Sequence, residues 1–249
     1  MSEDTAATET VAITGAGGDG IEAYLALTSG GDAVGGVVVI HHMPGYDSDT
    51  KESARRLAAM GYNAICPNLH YREAPGASPD DAAAAVRAAG GVPDDRLVGD
   101  VDGAANHLRS LANANGRVAV LGYCSGGRQA FLAACSLTVD AAVDCYGGFV
   151  VEKPPEGFAL AVRPLTHLAP KLSCPLLGLF GTEDSHPSPE HVAELDRVLT
   201  DAGKEHEFHM FENAGHGFFT TDRPSYAPQA AEQGWALIEA FFSRHLATR

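Results

Sequence analysis

Cys124 lies in the run Gly122-Tyr123-Cys124-Ser125-Gly126-Gly127, after the apolar stretch Val118-Ala119-Val120-Leu121 and before the small-residue helical stretch Arg128 to Cys135. A thiol on a sharp turn between a buried strand and a helix is presented for nucleophilic attack. Such a turn brings the chain so close to itself that the positions two before and two after the nucleophile must be small. Gly122 and Gly126 meet that demand around Cys124. Ser125 is the rival nucleophile, but its flanking positions are Tyr123 and Gly127, and tyrosine is too large for the first. The competing reading is a glycine-rich turn that packs a buried cysteine, since free cysteine is among the most buried residue types. The GxxxxGK[ST] pattern of a phosphate loop and the GxGxxG of a dinucleotide turn are both missing from this segment.

A thiol at such a turn needs a base to take its proton, and the base needs a third group to fix its tautomer. Downstream of Cys124 come two loops with suitable residues, in the order nucleophile, acid, histidine. The first is Gly181-Thr182-Glu183-Asp184, directly after the apolar run Leu176 to Phe180; the second is Asn213-Ala214-Gly215-His216-Gly217-Phe218, after the run Glu205 to Phe211. Asp184 is the preferred acid and Glu183 the weaker one, because only one side chain of that turn can point at the base. Among the 11 histidines, His206 and His209 fall inside a strand, His191 and His245 in helical patterns, and His186 just beyond the acid turn. His216 alone occupies a glycine-flanked loop at the right place.

The elements that must position these residues follow from periodicity. Short β-type runs at Val11–Thr14, Ile21–Leu27, Val37–His41, Asn63–Cys66, Val118–Leu121, Ala141–Cys145, Leu176–Phe180 and Glu205–Phe211 alternate with helical patterns at Thr50–Met60, Arg96–Ala112, Gly126–Ser136, Pro189–Ala202 and Pro228–Leu246. That rhythm predicts a mostly parallel, doubly wound sheet, opening with an antiparallel hairpin across Gly15 to Gly20. The stripe Trp235, Ile238, Phe241, Phe242 and Leu246 at helical spacing belongs to the core. Two irregular excursions, Tyr71 to Pro93 and Gly147 to Pro175, are expected to cover the site. Ala82 to Ala85 is a short helix candidate.

The 249 residues, 45% hydrophobic, suit one large α/β domain spanning residues 1–249, with residues 1–10 as a flexible terminus. Seventeen basic against 32 acidic residues give a net charge of −15, which argues against nucleic acid or an anionic membrane as partner and favours a small molecule. No run of 18 apolar residues occurs, and Met1 to Thr10 has neither the basic nor the apolar stretch of a secretory signal. Five cysteines, odd in number and without CxxC spacing, suit reduced thiols. The cytoplasm is the expected compartment, and a monomer or homodimer the expected assembly. No residue set has metal-ligand spacing, and adjacent His41 and His42 would point to opposite faces of a strand.

With the elbow GYCSGG, the turn GTED and the loop AGHGF in place, the chain from about Val11 to its end resembles the dienelactone hydrolase family of α/β-hydrolases. Val98-Gly99-Asp100 before a helix, Cys145-Tyr146-Gly147, and Pro67 to Arg72 with Pro75-Gly76 add to the resemblance. It implies the α/β-hydrolase fold, with a mostly parallel central sheet flanked by helices on both faces, and cofactor-free hydrolysis of an ester or lactone. By the same resemblance Cys124 is the nucleophile, His216 the base and Asp184 its orienter, and the oxyanion is held by the backbone N–H groups of Ser125 and Met43. Pro44, beside Met43, has no N–H to offer.

Two departures stand out. His42 replaces a glutamate that restrains the resting thiol in the best-known members; an imidazole there would pair with thiolate or help position substrate. The arginines that grip the lactone's carboxylate fall at Thr220 and close to Ala82, leaving Arg72, Arg87 or Arg223 to compensate. His42, Arg72 and Tyr146 are the residues expected to face the substrate. Two other functions compete: a binding protein on a retired hydrolase scaffold, and a thiol redox protein with Cys145 as resolving thiol.

Overall fold

The computed structural model describes residues 6–31 and 33–247. Its centre is an eight-stranded sheet built from β1 (Ala7–Thr14), β2 (Gly20–Leu27), β3 (Val34–Ile40), β4 (Asn63–Pro67), β5 (Ala114–Tyr123), β6 (Ala141–Cys145), β7 (Leu176–Gly181) and β8 (His206–Phe211), in the order β1-β2-β4-β3-β5-β6-β7-β8. β1 and β2 pair antiparallel, as do β2 and β4, and every later pair is parallel. The period-two alternation of strand side chains divides the core in two. Val38, Ile40, Val118 and Val120 pack on one face under α3 (Asp94–Ser110), α4 (Ser125–Ser136) and α5 (Pro189–Asp201). Val37, Val39, Ala119 and Leu121 pack on the other, under α1 (Ser48–Ala59) and α6 (Pro228–His245). The Trp235 stripe of α6 lies in that second core.

Helix starts are fixed by local chemistry. Asp47 accepts from the Thr50 N–H to cap α1, and Ser188 forms a capping box with His191 at the start of α5, where Pro189 takes the first helical position. Because β3 and β5 to β8 run parallel, the loops after them all emerge at one edge of the sheet, where ligands of open α/β sheets bind.

Three expectations need correction. The first strand begins at Ala7, so residues 7–10 are not a flexible terminus: they pair with Tyr24–Leu27. As an edge strand with its side chains largely in solvent, this segment lacks the apolar alternation that would have announced it; residues 1–5 lie outside the described ones. The excursion from Tyr71 contains a full helix, α2 (Pro79–Ala88), capped by Ser78. Val98-Gly99-Asp100 lies within α3 and not before it. A Cβ on Gly99 would crowd Ala16 and one on Gly103 would overlap the Thr14 carbonyl, so glycine lets α3 lie directly on the β1–β2 turn.

Candidate active site

Cys124 stands between the end of β5 and the first turn of α4 with φ 56° and ψ −121°, a strained conformation for any residue but glycine. Its N–H donates to the Cys145 carbonyl at 3.0 Å, and its own carbonyl accepts from Gly127 N–H at 3.0 Å, so the turn is pinned on both sides. A Cβ on Gly122 would overlap the Gly126 carbonyl, and one on Gly126 would overlap the Ile40 carbonyl. The spacing argument read from the sequence therefore has a direct steric basis. Cys124 is half-buried while Cys66, Cys135 and Cys145 are buried, and burial pushes the thiols of Cys66, Cys135 and Cys145 upward. Cys174 sits in the turn before β7, where burial raises its pKa to about 12.

His216 comes from the loop after β8. Its Nδ1 lies 2.8 Å from Asp184 Oδ2, and the other carboxylate oxygen, Oδ1, accepts the His186 N–H at 2.8 Å. Asp184 is buried and Glu183 exposed, which decides between the two acids of the turn. Burial works against a charge on the His216 ring, yet hydrogen bonding to Asp184 and to Cys124, with their negative charges, outweighs it and lifts the pKa to about 10. The ring rests edge-on against Tyr146, centroids 5.1 Å apart. The chain thus brings Cys124, Asp184 and His216 together from the loops after β5, β7 and β8.

Met43 and Ser125 join Cys124 and His216 in the wall of one cavity of about 470 Å³. The three residues expected at the substrate go elsewhere. Arg72 is taken by Asp100, at 2.8 and 3.0 Å, and by Asp19 at 2.9 Å, in a cluster that also holds the Ala16 N–H on Asp100. That guanidinium fastens the hairpin turn to α3 and does not line the cavity. Tyr146 is 1% exposed and supports His216 from behind. His42 bonds through Nε2 to Asp47 at 2.5 Å and lines a second groove, of about 250 Å³, with Arg56, Thr220 and Trp235. Its Nε2 is thus committed to Asp47.

His41 fixes the same loop from the other side. Its Nδ1 lies 2.9 Å from the His42 carbonyl, its Nε2 accepts from Leu69 N–H at 3.2 Å, and burial lowers its pKa to about 4, so the ring is a neutral strut. Among the described residues no three His, Cys, Asp or Glu side chains converge to hold a metal ion.

The chain matches the sequence profile of the Dienelactone hydrolase family over residues 21–246. The chain belongs to that family. It is 32% identical over 238 residues to the "Putative carboxymethylenebutenolidase" of Escherichia coli (strain K12), covering 92% of this chain and 84% of that protein. It is 30% identical over 247 residues to the "Probable 2-oxo-3-(5-oxofuran-2-ylidene)propanoate lactonase" of a Bradyrhizobium species, covering 96% and 97%. The crystal structure named for a putative dienelactone hydrolase of Klebsiella pneumoniae superposes with a TM-score of 0.85 at 25% identity, covering 97% of this chain and all of the other. The fold is the α/β-hydrolase fold, and this dienelactone hydrolase family member is a hydrolase.

The two excursions expected to cover the site do form the outer wall of the cavity, although sequence reasoning singled out none of their lining residues but Arg87. The excursion after β6 supplies Phe149, Phe158, Leu160 and Val162, and α2 supplies Arg87 at the rim. The two excursions meet through Ala161 N–H donating to the Gly90 carbonyl at 2.8 Å. Arg128, four residues after the nucleophile, also lines the cavity, with its guanidinium bound to Asp94 and the Arg163 carbonyl. A proline-broken loop has no periodicity to read; the aromatic content of residues 149–158 was the available signal. Arg223 is exposed and lies outside this wall.

Proposed function

We propose that the protein hydrolyses carboxylic esters or lactones by nucleophilic catalysis at Cys124, with His216 as base and acid and Asp184 as its orienter. The observation that carries the reading is the meeting of a strained elbow thiol, an imidazole raised to about 10, and a buried carboxylate on that imidazole's far nitrogen. The relatives' printed names, a carboxymethylenebutenolidase and a lactonase, support the ester and lactone class.

His216, raised to about 10, carries the proton on Nε2, and the Cys124 sulfur paired with it attacks the carbonyl carbon. The carbonyl electron pair moves onto oxygen, which the N–H groups of Ser125 and Met43 receive. Ser125 N–H lies in the first turn of α4, where N–H groups have no intrahelical acceptor, and the positive end of the helix dipole adds to it. Each such donor contributes roughly 3 kcal/mol to the transition state. Collapse expels the alcohol oxygen, which takes the proton from His216; in a lactone the ring opens. Water, deprotonated by His216, then attacks the thioester, releases the acid and returns the thiolate.

Asp184 keeps the proton on Nδ1 so that Nε2 faces the sulfur. The role of His42 is to hold the loop that carries Met43, through Asp47, while His41 holds it from behind. No cofactor enters this scheme. The free thiols suit a reducing compartment, so we place the enzyme in the cytoplasm, as a monomer or homodimer; among the described residues no helix is long and apolar enough to cross a membrane. A thiol redox role for Cys145 fits poorly, because that side chain is fully buried in β6.

The test is to trap the intermediate. Mass spectrometry of the enzyme quenched during turnover of a slow aryl ester should find the acyl group on the peptide carrying Cys124. Acyl groups on another residue, with Cys124 free, would refute the assignment.

A further inference from the structure

Phe158 is the most exposed large apolar side chain among the described residues, at 39%, and it stands in the wall of the Cys124 cavity. Its ring lies 4.8 Å from that of Phe149, which in turn stacks on His186 at 5.4 Å with 29° between planes. His186 donates its N–H to Asp184, so a row of three rings runs from the orienting carboxylate to the cavity mouth. Phe149 keeps φ at 62°, a conformation a bulky side chain adopts only when its surroundings impose it. Glu152 holds His186 from behind through its Nδ1, at 2.9 Å. The row is therefore fixed at its inner end and open to a ligand at its outer one.

Arg128 is 3% exposed and bound to Asp94, while Arg87 and Glu183 are exposed residues of the cavity lining. Among the described residues the cavity thus offers no buried, unpaired cation to a carboxylate, whose desolvation would go uncompensated there. An apolar cavity of about 150 Å³ accommodates a benzene ring, so about 470 Å³ leaves room for a ring, the scissile group and a further substituent.

We infer that Phe149 and Phe158 form a subsite for a flat apolar group, and that the substrate is an uncharged ester or lactone carrying an aryl or similar planar substituent. The inference rests on the esterase reading above and names its substrate class. Rings of a ligand stack offset or edge-on against such side chains, and the ring row would be covered when the site is filled.

The experiment uses three neutral esters, methyl acetate, methyl phenylacetate and benzyl acetate, with the para-carboxylated forms of the two aryl esters, assayed by pH-stat with the full-length protein. At least one aryl ester should exceed methyl acetate in kcat/KM by about tenfold or more, and its para-carboxylate should cost about tenfold. In Phe158→Ala, and in Phe149→Leu if it folds, the aryl-to-methyl ratio should fall toward one; a ratio taken within each variant cancels any general loss of activity. A flat series in the wild type, a ratio unchanged by Phe158→Ala, or preference for the carboxylated esters overturns the subsite and leaves the esterase reading standing. Binding of N-methylphenylacetamide to the Cys124→Ala protein, measured by calorimetry, separates the two: Kd weakened about tenfold by adding Phe158→Ala, with no ester turned over by the wild type, would uphold the subsite and refute the esterase.

Discussion

His216 and His42 are each held by an aspartate, the first through Nδ1 and the second through Nε2, and they stand in different places. His216 meets Asp184 at 2.8 Å and His42 meets Asp47 at 2.5 Å. The His216 pair comes from two loops at the carboxyl edge of the sheet, and the ring's other nitrogen faces a thiol on a strained elbow. The His42 pair lies within one loop, and its aspartate is busy capping α1 through Thr50. An aspartate–histidine pair is thus a common structural device, and the nucleophile beside it is what makes one of the two a candidate for chemistry.

The largest difference should come from substitution at the first pair and its thiol. Cys124→Ala and His216→Ala should each lower kcat by about 10⁴-fold or more, and the double variant should lose little beyond either alone, because residues that act as a unit are not additive. Asp184→Asn should cost on the order of 10³–10⁴, since it upsets the tautomer and leaves the reacting groups in place. His42→Gln and Asp47→Asn should each cost about tenfold or less. Steady-state kinetics on one aryl ester, with thermal melting to check folding, measures all of these, and equal losses at both pairs would erase the distinction drawn here.

Protonation sharpens the contrast. His216, raised to about 10 by Asp184 and Cys124 against the pull of burial, should titrate in that region by NMR, and should drop by at least one unit in Cys124→Ala. A folded pKa above the unfolded value of about 6.5 means that the pairing stabilises the fold fully below that value and is lost as pH rises through about 10. Asp47 behaves in the opposite sense. Burial raises it, but hydrogen bonds from His42 and Thr50 prevail and hold it at about 2, so its contribution is full above about pH 4 and fades as pH falls through 2. His42→Gln should therefore move the acid-unfolding midpoint upward, by a few tenths of a pH unit, in a circular dichroism titration. An unchanged midpoint would mean that Asp47 gains nothing from the imidazole.

Chelation should do the least. Overnight EDTA should leave activity unchanged, and a loss restored by zinc would call for a metal role that the scheme does not contain.

Much of this arrangement was legible in the residues because its causes are local. The glycines at 122 and 126 are required by backbone contact within the elbow itself, and the Asp184 and His216 loops follow recognisable strands in a fixed order. The inner parallel strands declared themselves as short continuous apolar runs, since they are buried on both faces. What stayed hidden depends on partners distant in sequence. Arg72 looked free for a substrate because Asp100 and Asp19, 28 and 53 residues away, reach it only in the fold. His42 is expected beside the thiol from its match to the family's glutamate, and its bond to Asp47 is visible only in the fold. The ring row of Phe149, Phe158 and His186 is assembled from an aperiodic loop and the acid turn.

The claim on which the rest depends is that Cys124 is the reacting thiol, activated by His216. Limiting iodoacetamide at pH 7, followed by peptide mapping and assay of the same samples, tests it most directly. Activity should fall in one-to-one proportion to carboxamidomethylation of Cys124, with Cys66, Cys135 and Cys145 unmodified, and His216→Ala should slow the labelling about tenfold or more. Full activity in a sample whose Cys124 is completely modified, or inactivation with Cys124 intact, would contradict the account.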